Sequence, residues 1–417
     1  MSLAWGLYRS AASCLGAVLP AARVFVAPHE RGLWDERLGG SRLPGGVDAW
    51  VHAASMGEAT AVAPFVRELE ALAPAARFLL TATTRSGRGR LAALGPAAAL
   101  APLDSPQAAA RFFRGAGPRR CFLVETELWP HWLLRARSAG VPVAVVSARL
   151  SAGSVARYAR LGRPFRELVA GLAAVLCQGA ADEERWLALG ARPGVVGVAG
   201  NLKDDGLPSR AADVGAARVA LGLDPARPVL VLGSVRPGEV LRLARAWARL
   251  SVVLRAGWQV VVAPRHPRAS MELRDEAARA GQPVGAVGEA PPGAWAWEDR
   301  LGVLNRYYAV ADAAFVGGSL GPYGGHNPLE PAACGAALLM GPHHATQRDV
   351  VRMLEAAGAL RVAGSETELA AALEALLGDP AARAAAGRAA LAVAEQRRGV
   401  ARRTVARLAE LGLWGAG

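Results

Sequence analysis

Short apolar runs rich in β-branched residues alternate with Ala-rich stretches of helical spacing, and this alternation runs through the chain twice. In the first half the strand-like runs are Ala49–Ala54, Phe78–Thr83, Cys121–Val124, Val141–Ser147, Ala173–Gln178 and Val195–Ala199, separated by stretches such as Ala59–Leu72. Strands that alternate with helices predict parallel βαβ units and an open, doubly wound sheet. Residues 200–210 are polar and carry Gly, Pro and Ser, which suits a linker. The pattern then restarts with Val229–Gly233, Gln259–Ala263, Ala313–Gly317 and Ala336–Met340. The expected fold class is therefore α/β, with two Rossmann-like doubly wound domains facing each other across a cleft. Their expected bounds are 41–200 and 201–417, the second ending in Ala- and Arg-rich helices, with residues 1–40 as a separate N-terminal segment. In such sheets ligands bind beyond the carboxyl ends of the strands, so the loops there are where chemistry is sought.

A hydrophobic fraction of 52% is ample for two cores, and the formal net charge of +13 attracts anionic partners. The charge is almost all arginine; Lys203 is the single lysine. It is spread along the chain with no basic arm or block, which argues against nucleic acid and for an anionic membrane surface or a phosphorylated substrate. Cys14, Cys121, Cys177 and Cys334 lie far apart with no metal-ligand spacing, which fits a reduced compartment and no structural zinc. The apolar stretch Leu3–Val26 is interrupted by Arg9 and Arg23, and its uncharged part is too short for a confident membrane span. Trp5, Leu7, Tyr8, Leu15, Val18 and Leu19 would share one face of a helix ending near Pro20. That face would lie in a membrane interface, with Arg9, Arg23, Arg31 and Arg37 meeting lipid phosphates, or would pack on the core.

Four loops carry unusual residues. In Trp50-Val51-His52-Ala53-Ala54-Ser55-Met56-Gly57-Glu58, Glu58 opens a helix, either as a cap or as a general base; His52 alternates inward and is expected in the core. Glu125-Thr126-Glu127-Leu128-Trp129-Pro130 places two carboxylates after a buried strand, either aimed together or capping the next helix. In Pro264-Arg265-His266-Pro267, Arg265 and His266 suit a phosphate or nucleobase edge, or a solvated turn. The most specific loop, Gly317-Gly318-Ser319 to Gly324-Gly325-His326-Asn327-Pro328-Leu329-Glu330, has two glycine pairs. It is expected to bring backbone N–H groups and a helix N-terminus to an anion, with Ser319, His326 and Asn327 as further donors and Glu330 accepting from ribose. It is neither a dinucleotide fingerprint nor a Walker loop.

These segments, with Ser147-Ala148-Arg149-Leu150-Ser151, Gly200 to Lys203, Ser234 to Glu239 and Gly341-Pro342-His343, stand in an order that resembles the bacterial 3-deoxy-D-manno-octulosonic acid (Kdo) transferases across roughly residues 30 to 350. The resemblance implies a GT-B fold. It also implies an inverting, metal-independent glycosyltransferase without cofactor that moves Kdo from CMP-Kdo to the 6′-hydroxyl of a phosphorylated lipid A precursor, in lipopolysaccharide core biosynthesis at the cytoplasmic face of the inner membrane. It implies that Glu58 is the general base and Glu125 a second essential carboxylate. Arg265, Gly317, Gly318, Ser319, Gly325, His326, Asn327 and Glu330 would recognise CMP, and Lys203 and Ser234 would line the donor cleft. Two positions depart from the family pattern: Asp204 where an aromatic often stands, and Thr346-Gln347 in place of Asn-Phe. The competing readings are another GT-B enzyme, a UDP-sugar transferase or epimerase, and a non-catalytic peripheral membrane protein of this fold.

Overall fold

The strand-like runs do become parallel sheets. In the computed structural model, which describes residues 3–40 and 43–415, there are two of them, each of seven parallel strands. The first contains β1 (Ala49–His52), β2 (Phe78–Ala82), β3 (Ala97–Leu100), β4 (Cys121–Val124), β5 (Val143–Ala148), β6 (Ala174–Cys177) and β7 (Val196–Val198), in the order β3-β2-β1-β4-β5-β6-β7. The second contains β8 (Val229–Val235), β9 (Gln259–Pro264), β10 (Val284–Ala286), β11 (Trp295–Trp297), β12 (Ala313–Val316), β13 (Ala337–Met340) and β14 (Leu360–Val362), in the order β10-β11-β9-β8-β12-β13-β14. Strands β3, β10, β11 and β14 escape a reading by sequence. Ala97-Ala98-Ala99-Leu100 has no β-branched residue, and the others are three residues long.

Both faces of each sheet are covered, which is why its strands read as continuous apolar runs. Along the first sheet Trp50, Leu79, Leu123 and Val145 pack into one core layer. Their neighbours Val51, Leu80, Phe122 and Val146 pack into the other, as the two-residue period requires. The second sheet divides in the same way, Val229, Val231 and Val316 on one side and Leu230, Leu232 and Phe315 on the other.

Two compact units result, Met1–Gly206 with Gly399–Gly417, and Leu207–Arg398. The chain does not divide as the sequence suggested, for the last helix, Val400–Glu410, returns to the first unit. There Val400, Val405, Leu408 and Trp414 join a core layer. Asp205 caps the returning helix through the amides of Val400 and Ala401, at 2.9 and 2.6 Å. Composition hid the crossing. The preceding helix Pro380–Arg397 is equally Ala- and Arg-rich, and only Gly399 in the left-handed region (φ 75°) separates them.

The N-terminal helix, Leu3–Val18, ends before Pro20 as expected. Its face is not the one predicted, because Trp5 is buried and Tyr8 turns inward, donating to Asp104 and stacking on His131 with ring centroids 5.7 Å apart. Leu3, Leu7, Leu15 and Val18 point outward, followed by Val24 and Phe25. Three of the expected phosphate contacts are engaged within the fold: Arg23 pairs with Asp35 at 2.6 Å, Arg31 donates to the Val26 carbonyl, and Arg37 to that of Thr83. Among the described residues no helix is long and apolar enough to cross a membrane.

The Trp414 indole is buried, donates from Nε1 to the Leu69 carbonyl at 3.0 Å, and packs on Phe78 and Phe122. Replacing it with alanine is expected to cost about 3–5 kcal/mol. Urea denaturation of Trp414→Ala measures this, and the transition of the first unit is the one that moves.

Candidate functional site

The strand order of each sheet reverses at one place, between β1 and β4 in the first and between β8 and β12 in the second. Loops leaving adjacent strands there run to opposite faces and open a crevice, the usual ligand position in such sheets. Three of the four loops singled out in the sequence fall at these two places, and the one with Arg265 and His266 follows β9, the neighbour of β8. Glu58 follows β1, while Glu125 and Glu127 follow β4; Ser234 ends β8, and the double-glycine loop follows β12.

Among the described residues only Glu125 (φ 61°), Ser147 (φ 50°) and Ser234 (φ 56°) are non-glycine residues at positive φ. Such conformations cost of order 1–3 kcal/mol and collect at functional sites. The two serines sit at register shifts, Ser147 where β5 meets β6 and Ser234 where β8 meets β9, and such bulges re-aim side chains.

In the first unit Glu58 is half-buried at the start of the helix Met56–Ala61. Its carboxylate accepts from the Ala54 amide at 2.9 Å and from Ser55 Oγ at 2.8 Å, and Ser55 Oγ accepts in turn from the Glu58 amide. It is therefore a cap, and the cap also fixes its direction. Burial first, then the negative charges of Glu125 and Glu127, push its carboxyl above the usual range against these hydrogen bonds.

Glu125 and Glu127 do not cap the helix Pro130–Ser138. Asp104 does, accepting from the amides of His131 at 2.9 Å and Trp132 at 3.2 Å. Glu125 instead holds Lys203 Nζ at 2.6 Å, which gives the chain's single lysine its partner. Ser147 anchors the segment that carries that lysine, its Oγ accepting from the Leu202 amide at 3.2 Å. Glu127 accepts from the Trp129 indole at 2.6 Å and faces His52 Nε2 at 3.5 Å. Burial alone would raise the Glu127 carboxyl; the imidazole and the indole outweigh it and hold it below the usual range.

The second unit corrects the sequence reading. The amides of Gly318, Ser319 and Leu320 are not open to an anion: all three donate to the buried carboxylate of Glu239 at 2.8 Å. Ser319 is fully buried; its Oγ donates to the Val316 carbonyl and accepts from the Gly341 amide. Gly317 is needed for packing, since a Cβ there would lie 2.4 Å from the Ser234 carbonyl oxygen. The helix Leu329–Ala333 has five residues, too few for an appreciable dipole, and Asn327 Oδ1 is spent on the Leu329 amide. Glu239, to which the sequence reading assigned no role, thus holds the loop together. Its burial at 1% exposure could not be read from a Gly-Glu pair.

The expected cations do gather. Burial, then Arg265, Arg236 and His266, push His326 down to about 4, and Arg236, Arg265 and Arg268 act likewise on His266 after burial. None of the ion pairs of the described residues involves Arg236, Arg265 or Arg268. Arg236 lies over the Tyr323 ring at 4.5 Å, and its Nε is buried without a partner, as is His326 Nε2. Glu330 sits by this cluster, raised by burial and lowered by Arg265 and Asn327. Thr346 pins the Gly324-Gly325 turn by donating to both carbonyls, at 2.6 and 3.0 Å. Uncompensated positive charge of this kind suits a phosphate.

Because the folded state binds the His326 proton only near pH 4 and the unfolded chain near 6.5, the unfolded state carries more protons between these values. Stability is therefore expected to fall as pH drops from about 6.5 toward about 4. His326→Gln should flatten part of that slope in denaturation measured against pH. A bound phosphate should raise the His326 midpoint seen by imidazole NMR.

Residues 32–206 match the family model described as 3-deoxy-D-manno-octulosonic-acid transferase. The transferase of that name from Bordetella pertussis is 38% identical over 389 residues, 88% of each chain. The one from Haemophilus influenzae is 30% identical, over 88% of this chain and 87% of its own. Among solved structures, Anabaena Alr3699/HepE in complex with UDP aligns with a TM-score of 0.62 at 14% identity, covering 88% of this chain and 99% of that one. A UDP-N-acetylglucosamine 2-epimerase aligns at 0.61 and 17%, over 88% and 97%. These two show the fold, which is that of GT-B glycosyltransferases and epimerases. The sequence relationship, carried over both units, goes further: the chain belongs to the 3-deoxy-D-manno-octulosonic acid transferase family of glycosyltransferases.

Proposed function

We propose that this enzyme transfers Kdo from CMP-Kdo to the 6′-hydroxyl of a phosphorylated lipid A precursor, with inversion at the anomeric carbon. The observation that carries the reading is the convergence of three carboxylates at the first switch point. Glu125 pairs with Lys203, and Glu127 is held by His52 and Trp129. Glu58, directed by the Ala54 amide and Ser55, has its carboxyl raised by burial and by the charges of the other two. In this mechanism Glu58 takes the proton of the acceptor hydroxyl as that oxygen attacks the anomeric carbon. The bond from that carbon to the phosphate oxygen breaks, and CMP departs with the electron pair. Arg236 and Arg265 meet the phosphate charge, and Glu330 accepts from the ribose. The reaction proposed uses no resident metal and no cofactor.

The acceptor reading places the enzyme at the cytoplasmic face of the inner membrane. Its support is the outward row Leu3, Leu7, Leu15, Val18, Val24 and Phe25, with Arg9 beside it and a net charge of +13. Leu7→Asp with Phe25→Asp is expected to weaken sedimentation with anionic liposomes while leaving nucleotide binding unchanged. Equal sedimentation would remove the membrane from the reading.

Incubation with CMP-Kdo and a lipid A precursor, read by mass spectrometry, tests the reaction, and a thermal shift with CMP but not UDP tests the donor. Glu58→Gln should lower turnover about 10²–10⁴-fold and leave CMP binding intact. Arg265→Ala should weaken CMP binding in calorimetry. Full turnover in folded Glu58→Gln would sink the base assignment.

A further inference from the structure

His52 is fully buried, between β2 and the helix Pro130–Ser138, and its ring meets Trp132 edge-on at 5.0 Å. A histidine so placed is ordinarily a core residue, and its hydrogen bonds say more. The Trp50 indole, which can only donate, lies 2.7 Å from Thr81 Oγ1, and Thr81 Oγ1 lies 2.9 Å from His52 Nδ1. The Thr81 hydroxyl proton has no acceptor other than Nδ1 among the described residues, so it goes there and the imidazole proton sits on Nε2. That N–H is buried, has no other acceptor, and faces Glu127 Oε2 at 3.5 Å. Trp129 Nε1 approaches the same oxygen at 2.6 Å. The His52 ring, backed by Thr81 and Trp50, and the Trp129 indole thus converge on one carboxylate oxygen, a costly arrangement for a residue that caps no helix and has no arginine partner among the described ion pairs.

We propose that Glu127 is a positioning residue of the reaction: the buried chain Trp50–Thr81–His52, with Trp129, holds its carboxylate as a fixed negative charge beside Glu58. The inference rests on the reading of Glu58 as base. A fixed anion next to a base makes that base stronger, and an anion tied by donors cannot swing away to a cation. The other charges around the pair are already engaged. Lys203 is on Glu125, and on the helix Arg85–Ala92, Arg85 is on Glu30, Arg88 on Glu36 and Arg90 on Thr60. Asp205 caps Val400, His131 is on Asp104, and Tyr158 donates to the Thr126 carbonyl. Glu125 is paired across 2.6 Å with the Lys203 ammonium, whereas Glu127 is held by the His52 ring and the Trp129 indole.

Glu127→Gln keeps the shape and removes the charge. Its acid limb of log kcat/KM against pH is expected to move down by about 0.5–1 pH unit, with a plateau several-fold lower because the base is weaker. His52→Gln, which can still offer a proton to Glu127, should stay near the wild-type limb, and His52→Leu should not. An unmoved limb in folded Glu127→Gln overturns the proposal, as does identical behaviour of the two His52 variants. The carbon-13 carboxyl titration of the wild-type protein asks the same question without substrate and without a variant that must fold. Glu127 should be ionised at a pH where Glu58 is still protonated, and the reverse order overturns the proposal. A correct titration order in a protein that transfers no Kdo would instead sink the reading of Glu58 as base and leave the pairing in place.

Discussion

Parallel strands oblige the chain to leave each sheet at the same edge, and the reversal of strand order forces two neighbouring loops apart at that edge. Each unit has one such place, and nearly every residue of chemical interest sits there. The backbone at these places is held in conformations it would not choose. Glu125 and Ser234 adopt left-handed dihedrals at the ends of β4 and β8, and Gly317 allows β12 to run against the Ser234 carbonyl. The strain is tolerable because the strands on either side are buried on both faces and cannot shift to relieve it.

Within that frame, four glutamates of identical chemistry come to four different states through their partners. Glu239 is sealed into four backbone amides and works as mortar for the loop after β12. Glu125 is tied to the single lysine, and Glu127 to the His52 ring and the Trp129 indole. Glu58 is directed by its cap and raised by burial and by the charges of the other two. The proposed base chemistry of Glu58 would use this separation of the three carboxyls in the first unit.

The N-terminal helix shows how one element serves two surroundings. Tyr8 and Trp5 lock it to Asp104 and the core, and Asp104 also caps the helix that follows Glu127 and Trp129. The opposite row of leucines faces outward. An aromatic residue near the start of an apolar helix reads equally well as an interface anchor or a core wedge, and only the position of Asp104, about a hundred residues away in sequence, decides which.

The repeated alternation of apolar run and helix, by itself, determined two parallel sheets, their central strands and the loops where the chemistry lies. That information is local, set by a two-residue period and by the crossover that parallel pairing demands. Glu58, Glu125, Arg265 and His326 were legible for the same reason, since each follows such a run. Tertiary structure alone decided which alternatives hold. Whether a carboxylate caps, pairs or stays free depends on groups brought near it from elsewhere: Lys203 for Glu125, His52 for Glu127, and three amides of the loop after β12 for Glu239. The return of Val400–Glu410 to the first unit was equally invisible, because its Ala-rich composition suits either core and only the complementary apolar surface beside Leu69 and Phe122 selects one.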